Sequence, residues 1–286
     1  MRASANCSGR IQRYQLYPRS VSFLHRLVPL VCSLSFTAAA DLSPETAAAF
    51  DHYVKLTEEG FAKRTSSNFL WLDGKPKQKN LVWLGQTVIE PNKTLDGGRD
   101  VDIPAGLLQD WIGTLFVDGE TLNRVRDMIL NFADFKIYFK QQIIDSKLVK
   151  RDGDHFDDFL RFSKRQVTPI VLNTQLSTVY TTVDPTRAYI VTRATHIGEV
   201  AHPNKKNTYD QERSPEEEAG YLWRLNYYWH LEQADDGVYA ELELITLSRP
   251  GGGFHAGRFL SGFEAFPREI EEGFLDGVRE GFPRHH

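Results

Sequence analysis

Trp223-Arg224-Leu225-Asn226-Tyr227-Tyr228-Trp229-His230-Leu231-Glu232 is followed, after Asp235-Asp236-Gly237, by Val238-Tyr239-Ala240-Glu241-Leu242-Glu243-Leu244. In the first run Trp223, Leu225, Tyr227, Trp229 and Leu231 alternate with Arg224, Asn226, Tyr228, His230 and Glu232. In the second, Val238, Ala240, Leu242 and Leu244 alternate with Tyr239, Glu241 and Glu243. A period of two places one set on each face of a strand, so the pair reads as an antiparallel hairpin with one dry face and one wet face. A turn at Asp235-Asp236 sets His230 opposite Glu241 and Glu232 opposite Tyr239; a turn at Asp236-Gly237 shifts the pairing by two residues. Both registers keep the apolar sets together. The apolar face carries large rings, and Tyr227 brings a hydroxyl that needs a partner once buried. An aromatic wall with one hydroxyl suits an apolar pocket; a filled core is the other reading.

Working outward, residues 110–117, 142–149, 156–164, 170–183 and 188–200 also read as strands, with turns at Asp118-Gly119, Asp152-Gly153 and Asp184-Pro185. Residues 121–132 form an amphipathic helix with Leu122, Val125, Ile129 and Phe132 on one stripe, and a short helix follows at 134–139. At the end of the chain Phe266, Ile270, Phe274, Val278 and Phe282 recur every fourth residue, with Pro267 opening the helix. Gly273, Gly277 and Gly281 make a second stripe, which would let this helix lie close against the sheet. Each interior glycine costs about 1 kcal/mol relative to alanine, so close packing must offset it. The charges between these residues make a membrane span implausible. Strand, two helices, a run of antiparallel strands and a last helix make an α+β layout with helices on one face of the sheet. The polar stretch 201–220, with three consecutive glutamates at 216–218, reads as a mobile loop.

Residues 41–105 read as an N-terminal extension packed on a main domain of 106–286. Ser43-Pro44-Glu45 caps a helix to about Gly60, with Phe50, Val54 and Phe61 toward one face. A basic turn at 75–79, a strand at 81–89 and a glycine-rich loop at 96–102 follow. Before Asp41 there are arginines and no acid, then an apolar run at 27–36 and Ala38-Ala39-Ala40. This is the pattern of a secretory signal peptide cleaved after Ala40, which places the mature protein in the periplasm or outside the cell. A start near Val21 would leave a compact signal; a buried N-terminal helix is the alternative reading. Leu30 and Val31 precede Cys32 where a lipoprotein signal needs small residues. Both cysteines, Cys7 and Cys32, fall in the segment that export removes. The mature chain would then have no disulfide, thiolate nucleophile or thiolate metal site.

The composition, 41% hydrophobic and 25% charged with a net charge of −4, belongs to an ordinary globular chain and shows no basic footprint for nucleic acid. No GxSxG, phosphate loop, dinucleotide fingerprint or HExxH occurs. His196 and His202 read as a strand and a loop histidine rather than metal ligands. Asp152-Gly153-Asp154-His155 with Asp157 and Asp158 resembles a calcium loop only superficially and reads as a solvated hairpin turn. Neither a cofactor nor a metal site is expected. Arg193 would hold a ligand carboxylate or phosphate if it faced a cavity, and an outward salt bridge otherwise.

Residues 223–229, Asp236-Gly237-Val238-Tyr239 and Glu241-Leu242-Glu243 resemble START-like proteins of the SRPBCC, or helix-grip, superfamily. Asp110-Trp111-Ile112-Gly113, Tyr138, Asp145-Ser146-Lys147-Leu148 and Asp184-Pro185-Thr186-Arg187-Ala188-Tyr189 are similar to a predicted-secreted group from acidobacteria. The resemblance covers residues 106 onward and, more weakly, 46–90. It implies a curved antiparallel sheet gripping the long C-terminal helix, with a cavity between them for a hydrophobic small molecule or lipid. A minority of that superfamily are cyclases or hydrolases. Residues 251–268, with Phe254, His255, Arg258 and Phe263, depart from the more apolar pattern of that group at the expected pocket mouth, so ligand identity does not transfer. The reading is a non-catalytic, exported carrier. Trp111, Trp223, Leu225, Tyr227 and Trp229 would wall its pocket, Phe263, Phe266, Ile270 and Phe274 would close it, and Arg193 would anchor a polar group. A cyclase- or hydrolase-type enzyme and a ligand-free interaction module are the alternatives.

Overall fold

The structure is a computed structural model that describes residues 42–64, 67–165, 169–250 and 265–282. Ten strands appear among them: β1 (Val88–Pro91), β2 (Leu95–Asp96), β3 (Arg99–Asp100), β4 (Leu107–Asp118), β5 (Ile143–Asp152), β6 (His155–Lys164), β7 (Ile170–Asp184), β8 (Arg187–Glu199), β9 (Arg224–Ala234) and β10 (Gly237–Ser248). Five helices accompany them: α1 (Pro44–Ala62), α2 (Pro76–Trp83), α3 (Leu122–Ile129), α4 (Phe135–Tyr138) and α5 (Phe266–Gly281). Eight strands form one antiparallel sheet in the order β1-β4-β10-β9-β8-β7-β6-β5. The sheet, with α5 laid along its inner face, is the helix-grip arrangement. Among the described residues no helix is long and apolar enough to cross a membrane.

The β9–β10 hairpin turns at Asp235-Asp236, and His230 lies opposite Glu241 as the first of the two registers requires. Leu225, Tyr227, Trp229, Leu231, Val238, Ala240, Leu242 and Leu244 share the main core with Phe266, Ile270, Phe274 and Val278 of α5. Phe135, Phe139, Phe162 and Tyr227 surround Phe274 at ring-centroid distances of 6.2, 4.9, 6.4 and 5.5 Å. Burial of a phenylalanine-sized side chain contributes about 2–3 kcal/mol, so this ring cluster holds the helix to the sheet.

Four expectations need correction. The second face of the hairpin is not wet: Tyr228, His230, Glu241 and Glu243 are all buried. The extension covers them, through Phe50, Tyr53 and Val54 of α1 against Tyr228, Ile245 and Leu247, and through Phe69, Leu70, Leu72 and Val82 against Phe116 and Tyr239. The glycine stripe of α5 faces α3 and the segment from α4 to β5, where Gly273 meets the Gln142 side chain, and not the inner face of the sheet. A Cβ on Gly277 would fall 2.3 Å from the Phe139 ring, and one on Gly281 2.4 Å from Met128. On the sheet side the close approach belongs to Gly113 of β4, where a Cβ would stand 2.5 Å from Leu275. Residues 76–83 are helical because Pro76 supplies the preset φ of a first helical turn; the strand expected at 81–89 is reduced to β1. Finally, 201–220 is tied down. Asp210 and Tyr209 bond Arg161 and Asn173, and the Glu199 carboxylate accepts the backbone N–H groups of Ala219, Gly220 and Tyr221.

Candidate functional site

The inner face is mainly apolar; besides Thr174, which bonds the Leu160 carbonyl, and Glu271 of α5, buried against Gly113 with both carboxylate oxygens unpartnered, one row of polar side chains crosses it. Phe156, Asp158, Leu160 and Phe162 alternate along β6 and all four are buried. Asp158 therefore occupies an apolar position. Beside it, Thr178 of β7 pairs with Thr192 of β8, which pairs with Tyr227 of β9. The Thr178 hydroxyl donates to Asp158 Oδ2 at 3.2 Å, and the two threonine hydroxyls lie 2.9 Å apart. The chain of contacts stops there. Asp158 Oδ1 is buried without a hydrogen-bond partner, and the Tyr227 hydroxyl, buried beside Thr192, makes no hydrogen bond of good geometry. Leaving such an atom unsatisfied costs about 1–3 kcal/mol.

Burial pushes the Asp158 carboxyl up to about 8; the Thr178 bond opposes the shift and the charge of Asp157 adds to it. Near neutral pH Asp158 is thus mainly protonated and can donate from its free oxygen. Burial, reinforced by Asp158 and opposed by the neighbouring Thr192 hydroxyl, also raises the Tyr227 phenol well above its ordinary value. The row offers two hydrogen-bond donors, O–H of Asp158 and O–H of Tyr227, in an otherwise greasy wall. Their shared requirement is an acceptor such as a carbonyl or ether oxygen.

Of the residues expected at the site, Leu225, Tyr227, Trp229, Phe266, Ile270 and Phe274 come together in the buried interior between sheet and α5. Trp111 is on the same face, opposite Leu244, but sits half-buried at its rim beneath the Arg268 guanidinium. Trp223 does not reach the interior. The strand begins only at Arg224, so the alternation does not extend back to it; Leu222 enters the main core and Trp223 packs with the outer cluster around Tyr228. Arg193 also faces the outer side, where its Nε and Nη2 donate to Glu58 at 3.1 and 2.6 Å. It is the outward salt bridge and does not enter the grip. Phe263 lies outside the described residues.

Thr178 and Thr192 were not singled out by sequence reasoning, and Asp158, read there as part of a solvated turn, is instead buried. For Asp158 the signal was present: an acid at an apolar position of the Phe156–Phe162 alternation. It was obscured by the acidic turn next to it, of which only Gly153 has the left-handed backbone, at φ 61°. Thr178 and Thr192 carry no such signal, since threonine is ordinary in strands.

The described residues hold a second set of buried acids on the outer face. Glu241 accepts from Arg64 Nη1 at 2.7 Å and from the Trp71 backbone N–H at 2.6 Å. Glu243 has Arg64 Nη2 at 3.8 Å and Asn92 at 3.0 Å. Asp110 accepts the Tyr53 hydroxyl at 2.6 Å. Burial raises the Asp110 carboxyl to about 7 against the pull of its bonds to Tyr53 and Asn92. These acids fasten the extension to the sheet, so their role is structural.

No family model matches the chain, and no curated protein matches it. Among solved structures, a fragment of the STAR-related lipid transfer protein from Xanthomonas axonopodis aligns with 68% of this chain and 99% of its own, at 14% identity and a TM-score of 0.45. The human StarD13 (DLC2) lipid transfer and protein localization domain aligns with 76% of this chain and 98% of its own, at 10% identity and a TM-score of 0.40. The Zhui aromatase/cyclase from Streptomyces sp. R1128 aligns with 61% of this chain and 93% of its own, at 10% identity and a TM-score of 0.41. These are similarities of architecture alone; the fold described above rests on the strand order and on the seat of α5.

Proposed function

We propose that this chain is an exported binding protein that takes up an apolar, lipid-like molecule between its sheet and its C-terminal helix. In this reading Tyr227 and Asp158 donate to an acceptor oxygen of that molecule. The observation that carries it is the pair of unpartnered donors set in an apolar wall, the pattern of a site with few, convergent polar groups. The rings around Phe274 occupy the interior as it stands, so uptake requires α5 or those rings to move outward. Export is supported by the basic, apolar and small-residue order of the first forty residues.

The test is native mass spectrometry with lipid extraction on protein purified from its own envelope, followed by thermal shift across a lipid panel. A copurified apolar molecule, with affinity about 10-fold lower for Tyr227→Phe, is expected from loss of one buried hydrogen bond. Absence of any bound molecule, together with no thermal shift, ends the carrier reading and leaves the interaction module. Amino-terminal sequencing of the envelope protein checks export, with Asp41 expected first.

One observation favours a second reading, a cyclase- or hydrolase-type enzyme. A carboxyl titrating near 8 beside a tyrosine is a plausible general acid at neutral pH. Under that reading Asp158→Asn abolishes turnover of the retained molecule while its binding persists. Under the carrier reading the molecule is released unchanged by wild type and variant alike.

A further inference from the structure

The outer face of the sheet carries a cavity of about 470 Å³ where the end of α1 and the segment after it overhang β8 and β9. Its volume lies within the usual range for small-molecule sites, about 300–1,000 Å³. His230 is its buried floor. Phe61, Phe69 and Tyr189 stand around that imidazole at centroid distances of 4.7, 5.5 and 6.4 Å. Val191 and Val183 extend the apolar lining along β8 and the end of β7.

The charged lining is one-sided. Arg64, Arg187 and Arg193 face one carboxylate, Glu58. Arg64 stacks over Phe61 at 4.9 Å and Arg187 over Phe69 at 5.5 Å. Arg64 is engaged by the buried Glu241 behind it. Arg187 and Arg193 each meet their acid, Asp184 and Glu58, through Nε and Nη2. A guanidinium has five N–H groups, so Nη1 of each still has hydrogens to give. His230 adds no charge, because burial, and then Arg64, hold its pKa well below the ordinary value. The imidazole Nδ1 is buried without a hydrogen-bond partner. Rings stacked with guanidiniums, each paired with an acid yet with N–H groups left to give, around a neutral floor make an apolar recess edged by cationic donors.

We infer that this recess is a second ligand site, for a small apolar molecule that carries one anionic group, with the apolar body over His230, Phe61 and Phe69 and the anion at Arg193 and Arg187. It is separate from the interior between sheet and α5, on the opposite side of β8 and β9. It exists because the N-terminal extension overhangs the sheet.

Fluorescence titration with anilinonaphthalene sulfonate tests it on the full chain, with uncharged phenylnaphthylamine as comparator. Saturable binding of one sulfonate per chain is expected, weakened by added salt. Arg193→Gln, an exposed position, is expected to weaken it at least about 10-fold, and Val191→Trp to abolish it by filling the recess. Tyr227→Phe is expected to leave it unchanged, which separates this site from the inner one. Sulfonate affinity unchanged by Arg193→Gln, uncharged comparator binding as tightly as the sulfonate, or no saturable binding at all would each overturn the inference. Because Arg193→Gln changes no core residue, it decides the matter even if Val191→Trp does not fold.

Discussion

The two faces of the β9–β10 hairpin are both buried, yet they are built from opposite materials. The inner face meets α3, α4 and α5 mainly through rings and aliphatic chains, with a polar row at Asp158, Thr178, Thr192 and Tyr227 and the buried Glu271 carboxyl of α5 beside Gly113. The outer face meets the extension through Arg64, Tyr53, Asn92 and three buried acids, edged by two small apolar clusters. An apolar interface holds by area and tolerates repacking, whereas a buried ionic interface holds only while every charge has its partner. On the inner side the orphaned groups stand in an apolar wall with no charge near enough to explain them, whereas the raised acids on the outer side hold the extension, even though Asp110 Oδ1 and His230 Nδ1 there also lack partners.

The comparison breaks first at Phe274. Phe274→Ala removes the ring at the centre of the inner cluster and is expected to destabilise the chain by about 3–5 kcal/mol. Urea unfolding measures this, and a loss below about 1 kcal/mol would show that α5 is not gripped as described. On the outer side Arg64→Met leaves Glu241 and Glu243 buried with no cation, an expected loss of about 3–5 kcal/mol. Adding Glu241→Gln to that variant should recover part of the loss, because the stranded charge is then gone. No recovery would mean that Arg64 acts by packing on Phe61 alone.

pH sharpens the contrast further. Asp110 titrates near 7 and Asp158 near 8 in the folded chain, both above the unfolded carboxyl range near 4. A raised carboxyl binds more protons folded than unfolded, so its contribution is fully present below about pH 4 and is lost as pH rises through the folded value. Asp110 accounts for at most about 4 kcal/mol of that loss and Asp158 for at most about 6. Asp110→Asn should flatten the step that ends near pH 7, seen as α1 amides whose hydrogen exchange no longer accelerates with pH beyond its intrinsic rate. Asp158→Asn should flatten only the later step. If Asp110→Asn leaves the profile unchanged, the outer acids do not govern how the extension is held.

Much of the inner side was legible because alternation and helical spacing are local. Leu225, Tyr227 and Trp229 on one strand, and Phe266, Ile270 and Phe274 on one helix, follow from periods of two and of about four, and the hairpin turn follows from Asp235-Asp236. Trp223 was misassigned because periodicity does not say where a strand begins. Asp158 was misread because it was grouped with the acidic turn before it, although the strand through it was expected and it falls on the Phe156–Phe162 side of that strand. The outer groove was invisible, since Phe61, Tyr189 and His230 come from separate parts of the chain and carry no shared spacing.

From the sequence alone came the order of elements from β4 onward, the apolar face and the register of the last hairpin to within a single shift, and the apolar stripe of α5. Only the tertiary structure decided whether the polar face of the hairpin met water, which way Arg193 and Trp223 turned, and what the α5 glycines approach. The reason is physical. Side-chain direction follows from backbone geometry a few residues long, but burial depends on what other part of the chain lies on top, and that part here is a helix beginning at Pro44, well over a hundred residues away from the strand it covers.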